Sequence, residues 1–281
     1  MEGSLVEWIV PVVSTLVGLI IGSFLNVVIF RFNQKSMTVF KPARSICMSC
    51  KKPIPWYDNI PILSFALLKG RCRYCQARLS WRYPFVEALT AACFLINSLA
   101  FSFTGGSELL LKEVAFFPPF PLMLIGADVL VAALIVVFFT DLDTMLISDA
   151  TTAFVIAGCA LLYLDQGLRI DRGIFIVNLI TAFIAFSLVY ILRMLFKIFA
   201  KKDAMGMVDI VLISALALAL GPMKINLAVF LSCFVGIIAA IFFQKKMQDK
   251  IPFGPFIAVG GYIAFIVGDA FLDLIGFMPY F

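Results

Sequence analysis

Charged residues are scarce in this sequence. They make up only 14% of its 281 residues, whereas 63% are hydrophobic, against about 45–50% in soluble domains. With a mean hydropathy of +1.06, this composition excludes a soluble globular protein and predicts an integral membrane protein. The net charge of +5 does not indicate a nucleic-acid partner, because the basic residues are confined to a few loops between apolar segments.

The N-terminal segment lacks the features of a cleaved signal peptide. It carries Glu2 and Glu7 in place of a basic region, and no small-residue cleavage site follows its apolar run. We therefore expect the first apolar segment to be retained as a membrane span. The sequence also lacks internal repeats and low-complexity tracts.

Long apolar runs predict an all-α membrane protein with about eight transmembrane helices and one small polar insertion. The predicted spans are Trp8–Phe30, Pro84–Phe103, Phe120–Thr140, Ala150–Leu164, Gly173–Leu192, Val208–Leu220, Ile225–Phe243 and Phe256–Ile275. The fourth and sixth are shorter than the ~20 residues with which a helix crosses a bilayer. Because acidic residues adjoin them, we expect both to begin at a water-filled cavity. The proline pairs of Phe116–Pro121 disfavour helix ahead of the third span.

Lys and Arg residues are distributed unequally between the two sides of this topology. Eleven lie in the loop 31–82, four near residue 200 and three before the last span, so that 18 share one side and four the other. Because cytoplasmic loops carry the excess of basic residues, these three loops are predicted to be cytoplasmic and both termini to point outward. The chain is accordingly divided into a first span (1–30), a cytoplasmic loop domain (31–82) and a polytopic core (83–281).

Four of the seven cysteines form two C-x2-C pairs in the loop 31–82, separated by 21 residues. This spacing predicts a tetrahedral four-thiolate site for zinc, with iron as the alternative metal. Two disulfides are the other interpretation, which the predicted reducing cytosolic location disfavours. With four thiolates and no histidine in the chain, the metal is expected to be structural and to stabilise a loop too small for a core of its own. The predicted ligands are Cys47, Cys50, Cys72 and Cys75.

Two acidic residues lie at the predicted cytoplasmic ends of separate spans. Asp141 ends the third span in VVFFTDLDTMLISD, and Asp209 begins the sixth in AMGMVDIVL. Helices packed in a bundle would bring them face to face at one depth. Two carboxylates a few ångströms apart share a proton, and such a pair can activate water and protonate a leaving amine. We therefore predict that Asp141 and Asp209 are catalytic, with helix capping as the alternative for Asp209.

Four further acids are interpreted differently. Asp149, at the start of the fourth span, is expected to be a capping or first-turn residue. Asp143 would point away from Asp141 on a helix, so a solvated or supporting position is expected. Glu87 and Asp128 lie within spans, where an acid costs ~2.5–3.5 kcal/mol. The sequence indicates no role for Asp128.

These features leave two functional classes open. One is an intramembrane aspartic hydrolase, and the other is a proton- or cation-coupled transporter that uses the same carboxylates. The sequence lacks paired Gly/Pro-interrupted spans in two matching halves, which disfavours the transporter.

Nearly the whole chain resembles the bacterial type IV prepilin peptidases. The matching segments are GSFLNVVIFR (22–31), the Cys-rich CMSCKKPIPWYDNIPILSFALLKGRCRYCQARLSWRYPFVE (47–87), TDLDTMLISD, GMVD and PFGPFIAVGGY (252–262). By this resemblance the two catalytic aspartates of the family fall on Asp141 and Asp209, and its zinc ligands fall on the four loop cysteines.

The resemblance implies a bifunctional enzyme of the bacterial inner membrane whose active site faces the cytoplasm. It would cleave the basic leader peptide from type IV prepilins or type II secretion pseudopilins after a glycine, and then N-methylate the new N-terminal residue. Its partners would be these substrates and membrane lipid, and S-adenosylmethionine would be the methyl donor. No Gly-rich nucleotide-binding motif follows a predicted strand, so no residues are assigned to the donor.

Three positions depart from the family pattern. Val208 stands where a glycine precedes the second aspartate, Val211 where a lysine follows it, and Ser148 where a proline precedes Asp149. A β-branched residue at 208 restricts the backbone, so the conformation at Asp209 is expected to differ. Serine caps helices well, so the third change is expected to be harmless. A relative that binds prepilins without cleaving them is therefore a further alternative.

Overall fold

The computed structural model of the protein describes residues 3–32, 34, 38–42, 44–103, 122–169, 172–201, 205–242 and 252–276. The proline-rich segment Phe116–Pro121 and the predicted span end Phe243 lie outside them. Within the described residues the structure is helical and its only β pairing consists of isolated bridges, which confirms the predicted all-α class. The chain forms two compact units, Met1–Pro118 and Pro119–Phe281. The predicted division at residues 30 and 82 stays a prediction.

The first unit contains two long helices, α1 (Gly3–Phe32) and α3 (Arg82–Phe103). Between them lie a single 3-10 turn, Trp56–Asn59, and the short helix α2 (Leu63–Leu67). Most of the described residues between α1 and α3 lie outside regular secondary structure. The shape of this segment therefore depends on turns and on contacts between side chains.

Small residues let α1 and α3 pack closely and antiparallel. A Cβ atom on Gly22 would lie 2.8 Å from the Cα of Glu87, so only glycine permits this approach. One turn further along α1, the side-chain amide of Asn26 donates a hydrogen bond to the carbonyl of Tyr83, at 3.0 Å. The sequence GSFLN at 22–26 thus sets the contact between the two helices.

The second unit contains five helices, which are α4 (Leu122–Thr144), α5 (Asp149–Arg169), α6 (Arg172–Ala200), α7 (Met207–Phe242) and α8 (Gly254–Leu274). The buried faces of α4, α5, α7 and α8 form its core. Leu130, Val155, Leu216 and Ile257, one from each of these helices, are at most 2% exposed. The carboxylates of the predicted pair are carried by two of the core helices, α4 and α7.

Helix α7 contains a chain reversal at Gly221. This residue has φ 72° and ψ −178°, a conformation essentially restricted to glycine. Two adjacent glycines of α8 contact both sides of the reversal, since Gly261 lies against Leu216 and Gly260 against Ser232. In a straight helix, residues 216 and 232 would be about 24 Å apart. The segments 207–220 and 222–242 therefore run antiparallel.

Six of the described helices, α1, α3, α4, α6, α7 and α8, are long and apolar enough to cross a membrane. Because α7 reverses, it supplies two segments, and the 21-residue α5 completes the predicted set of eight. The sixth segment is as short as predicted. The fourth differs from the prediction, because α5 continues to Arg169 instead of ending near Leu164.

A buried polar network explains why α5 is longer than its apolar run. The side-chain amide of Gln166 donates to the carbonyl of Ala219 at 2.9 Å, and its oxygen accepts from Asn178 at 2.8 Å. These bonds satisfy a polar residue inside the helical bundle. They also fix the end of α5 beside the reversal in α7.

We predict that Gly221→Ala lowers the free energy of unfolding by about 1–3 kcal/mol. Alanine is strained at φ 72°, and its Cβ would lie 2.7 Å from Oδ1 of Asn178. Thermal unfolding of the detergent-solubilised protein measures the loss. The control is Gly268→Ala, whose Cβ would meet only the flexible side chain of Lys224, at 3.1 Å. Equal melting temperatures for Gly221→Ala and the wild type would contradict the strained reversal.

Candidate active site and metal centre

The two C-x2-C segments adopt the same backbone turn. In the first, the N–H of Lys51 donates to the carbonyl of Cys47 at 2.8 Å, and in the second the N–H of Gln76 donates to that of Cys72 at 3.0 Å. Lys51 and Gln76 have φ values of 59° and 57°, which few non-glycine residues adopt. The loop therefore contains two copies of one structural unit.

These two turns bring the predicted ligands together, because the sulfur atoms of Cys47, Cys50, Cys72 and Cys75 all lie within 4.8 Å of one another. The sulfurs of Cys47 and Cys75 are 3.8 Å apart. Four sulfurs bound to zinc at ~2.3 Å in a tetrahedron would be separated by about the same distance. The backbone N–H of Cys50 lowers the pKa of Cys47 to about 7. At Cys50 the N–H of Lys52 also lowers the pKa, but burial and the neighbouring thiols raise it to about 11. Cys47 therefore becomes the thiolate that a metal requires more readily than Cys50 does. The donor set and its geometry fit a closed four-thiolate metal site.

A bidentate ion pair stabilises the loop beside the four cysteines. Nε and Nη2 of Arg73 donate to Oδ2 and Oδ1 of Asp58, at 2.7 and 2.6 Å. The Asp58 side chain is only 6% exposed, and the Arg73 guanidinium lowers its pKa. Since Arg73 lies between Cys72 and Cys75, the pair ties the second cysteine turn to the 3-10 turn Trp56–Asn59.

Asp141 lies in the last turn of α4 and is 5% exposed. Its Oδ2 accepts a hydrogen bond of 2.9 Å from the N–H of Gly254, the first residue of α8. A Cβ atom at position 254 would lie 2.7 Å from the same oxygen, so a larger residue would displace the carboxylate. The N-terminal end of α8 also favours negative charge at this point.

Asp209 is the third residue of α7, and its Oδ2 accepts a hydrogen bond of 3.1 Å from the N–H of Gly206. This contact is half of a capping box, so the capping alternative predicted for Asp209 is present in the structure. The charges of Asp141 and Asp209 also interact with each other. The backbone bonds use one oxygen of each carboxylate and leave the other to bind water or a substrate.

The end of α4 and the beginnings of α7 and α8 thus converge on two carboxylates. Two neighbouring carboxylates can titrate as a pair and share a proton, which would give one site both an acid and a base. Apolar side chains, including Ile147, Val208 and Phe253, lie around this junction and pack against the core. The arrangement can activate a water molecule and protonate a leaving group.

The backbone at Val208 is helical, while the expected difference from relatives with a glycine at this position stays a prediction. Helix α7 begins at Met207, and Val208 is not among the described residues with positive φ. A glycine is therefore not needed for this backbone conformation. The Val208 side chain packs against the core, and Val211 is half-buried in the same helix.

Three other acids of the second unit, Asp149, Asp143 and Asp128, occupy other positions. Ser148 caps α5, because its hydroxyl oxygen accepts the N–H of Ala150 at 3.1 Å. Asp149 is exposed in the first turn of that helix, which is one of the two positions expected for it, the other being the N-cap. Asp143 is exposed near the end of α4, and Asp128 is half-buried within it.

Sequence reasoning missed the backbone donors of the site, Gly254 and Gly206. The segment PFGPF contains the available signal for the first of them, namely a glycine directly before a proline at the start of a helix. The signal for the second is a glycine three residues before an acid, at the position of an N-cap. Neither pattern reveals which distant carboxylate a donor contacts.

Two family profiles match the chain. The Bacterial Peptidase A24 N-terminal domain matches residues 16–101, and the Type IV leader peptidase family matches residues 129–241. No solved structure matches the chain. The two profiles confirm the resemblance on which the sequence-based expectations depend.

Similar proteins align over most of the chain. The "Type 4 prepilin-like proteins leader peptide-processing enzyme" of Escherichia coli O78:H11 is 35% identical over 89% of this chain and 91% of its own length. The "Prepilin leader peptidase/N-methyltransferase" of Neisseria gonorrhoeae is 31% identical over 93% of this chain and 91% of its own length. The protein of the same name from Aeromonas hydrophila is 33% identical over 91% of this chain and 90% of its own length. The chain belongs to the type IV leader peptidase family.

Proposed function

We propose that this protein is an aspartic endopeptidase that removes the leader peptide from type IV prepilins or type II secretion pseudopilins. The observation that carries the proposal is the convergence of Asp141 and Asp209, each fixed by a backbone N–H at a helix end. The names of the relatives, which are prepilin leader peptidases, support the substrate class. The three-part division of the chain at residues 30 and 82 is part of this proposal.

In the proposed reaction, one carboxylate of the pair is ionised and the other is protonated. The ionised group accepts a proton from a water molecule, whose oxygen adds to the carbonyl carbon of the scissile peptide bond. The protonated group donates its proton to the carbonyl oxygen. The C–N bond then breaks, the leaving amine takes a proton from the pair, and the pair regains a proton from the tetrahedral intermediate.

We place the pair at the cytoplasmic face of the bacterial inner membrane. The excess of Lys and Arg in the loop 31–82 and near residue 200 supports this orientation. The cleavage site of a prepilin lies where its apolar helix enters the same interface. A carboxylate pair at a junction of helix ends suits a peptide bond at that depth.

We propose that the four-cysteine site binds Zn²⁺ as a structural ion. The 3.8 Å spacing of Cys47 and Cys75 and the closed set of four thiolates support this assignment. Zinc would cross-link a segment with little regular secondary structure, and its binding free energy would contribute to folding.

We further propose that the protein N-methylates the new N-terminal residue with S-adenosylmethionine. The names of two relatives include N-methyltransferase, which supports this second activity. When bound, the sulfonium of this donor supplies a methyl group to the uncharged terminal amine: the C–S bond breaks, its electrons stay on sulfur, and the amine loses a proton to water.

The first prediction is that Asp141→Asn and Asp209→Asn each reduce prepilin cleavage by at least about 100-fold, because neither variant can share a proton across the pair. Cleavage of a purified prepilin by the detergent-solubilised variants measures this. Asp143→Asn is the matched control, since it removes an exposed carboxylate two residues from Asp141. Full cleavage by either variant would contradict the assignment. A wild type that binds prepilin without cleaving it would favour the non-catalytic relative.

The second prediction is that Cys72→Ser loses the bound metal and loosens the loop 31–82. Three thiolates and a hydroxyl form a weaker site than four thiolates. Elemental analysis should find one zinc per wild-type chain and little in the variant, and limited proteolysis should cut the variant faster between residues 31 and 82. Cys233→Ser is the control, because Cys233 is an exposed thiol on α7. Purified wild-type protein with neither zinc nor iron would overturn the proposal.

A further inference from the structure

The first unit contains a cavity of about 400 Å³ that the proposed peptidase reaction does not use. This volume lies within the ~300–1,000 Å³ range of small-molecule sites. The last turns of α1, the first cysteine turn, α2 and the start of α3 enclose it. Its wall includes Asn26, Phe65, Arg78, Tyr83 and Glu87.

Glu87 and Arg31 are charged residues buried in this wall, with 8% and 7% exposure. The Arg31 guanidinium donates to three backbone carbonyls, those of Thr38, Val39 and Arg44. It pairs with no acid within the described part of the chain, so it does not neutralise the Glu87 carboxylate. Oε2 of Glu87 accepts a hydrogen bond of 2.7 Å from the N–H of Ile62, and the carboxylate also accepts the hydroxyl of Ser23. No counter-ion pairs with Glu87 among the described residues. The two ion pairs described here involve other acids, namely Asp58 and Asp269.

A carboxylate offers about four lone-pair positions, so two hydrogen bonds leave Glu87 able to face a cation. A buried carboxylate is costly unless it is paired. Ile62 has φ 60°, a conformation that is strained for a β-branched residue, and the Glu87 carboxylate holds it in place. The protein therefore stabilises a strained turn beside a carboxylate that faces the cavity.

The rest of the wall is suited to a ligand with several chemical parts. Phe30, Phe65 and Tyr83 supply aromatic surface, on which a flat heterocycle can stack. Arg78 lines the same cavity and carries a positive charge for a carboxylate. A small zwitterion with a heteroaromatic ring therefore matches both the charges and the apolar surface.

A basic leader peptide is a poorer match for this cavity. The loop 31–82 contains eleven basic residues and one acid, Asp58, which is already bound to Arg73. A cationic peptide would be repelled by this excess, whereas a compact zwitterion presents both signs of charge.

We propose that this cavity binds S-adenosylmethionine, with Glu87 facing its positive charge and the aromatic side chains contacting its adenine. The inference rests on the proposed methyltransferase function and names the residues that hold its donor. Glu87 is the residue of this wall that would supply a negative charge opposite the donor's cation.

The test is equilibrium binding of radiolabelled S-adenosylmethionine to the detergent-solubilised, zinc-loaded full chain. Glu87→Gln keeps an oxygen that can accept the Ile62 N–H but removes the charge, so we expect affinity to fall about tenfold or more. Ser64→Phe should fill the cavity from α2 and weaken binding with Glu87 intact. Asp273→Asn is the control, since it removes an exposed carboxylate from α8 and should bind as the wild type does. Zinc content and melting temperature report whether each variant is folded.

The possible outcomes separate this inference from the function on which it rests. Wild-type affinity in folded Glu87→Gln and Ser64→Phe would overturn the cavity assignment while leaving methyl transfer in place. A wild type that neither binds the donor nor methylates a cleaved prepilin would overturn both. If Glu87→Gln kept its affinity for the donor but raised the KM for prepilin cleavage, the cavity would belong to the leader peptide and the inference would be wrong.

Discussion

The hydrogen bond from the N–H of Gly254 to Asp141 joins residues 113 positions apart in the chain. It can form only when α8 begins beside the end of α4. The reversal at Gly221 makes this possible, because it returns the chain to the end of the unit from which α7 started. Asp209 in the first turn of α7 then lies beside the same junction. The position of both carboxylates thus depends on backbone contacts between helix ends in an apolar bundle, where side-chain charges have few other partners.

The first unit is stabilised in a different way. Its segment between α1 and α3 is too small to bury a hydrophobic core of its own. Individual hydrogen bonds, an ion pair and the cysteine cluster hold it in place instead. Two matching cysteine turns bring four sulfur atoms together, and the ion pair of Asp58 and Arg73 ties one of these turns to the 3-10 turn Trp56–Asn59. Glu87 anchors the strained turn at Ile62. These contacts enclose a cavity whose wall includes the buried side chain of Glu87. A loop built in this way can present a specific site without a sheet or a conventional nucleotide-binding motif.

Residue types with strong local signals could be read from the sequence. Apolar runs predicted the eight segments, and the C-x2-C spacing predicted four sulfurs at one point, which the structure places within 4.8 Å. Features that depend on distant contacts could not be read. Gln166 extends α5 only because Ala219 and Asn178 satisfy it, and Gly254 contacts Asp141 only in the folded bundle. The effect of Val208 relative to a glycine stays a prediction, since the structure shows only that α7 begins at Met207 with a valine in its first turn.

Backbone geometry at the helix junction positions the carboxylate pair. The kcat/KM for prepilin cleavage by Gly254→Ala, compared with that of Gly268→Ala in the same helix, measures this dependence most directly. The added methyl group would lie 2.7 Å from Oδ2 of Asp141 and must displace it. Since misplacing a catalytic group by about 1 Å can cost about 100-fold, we expect a loss of that order with the fold and zinc content unchanged. Cleavage at the wild-type rate by a folded Gly254→Ala protein would contradict the account.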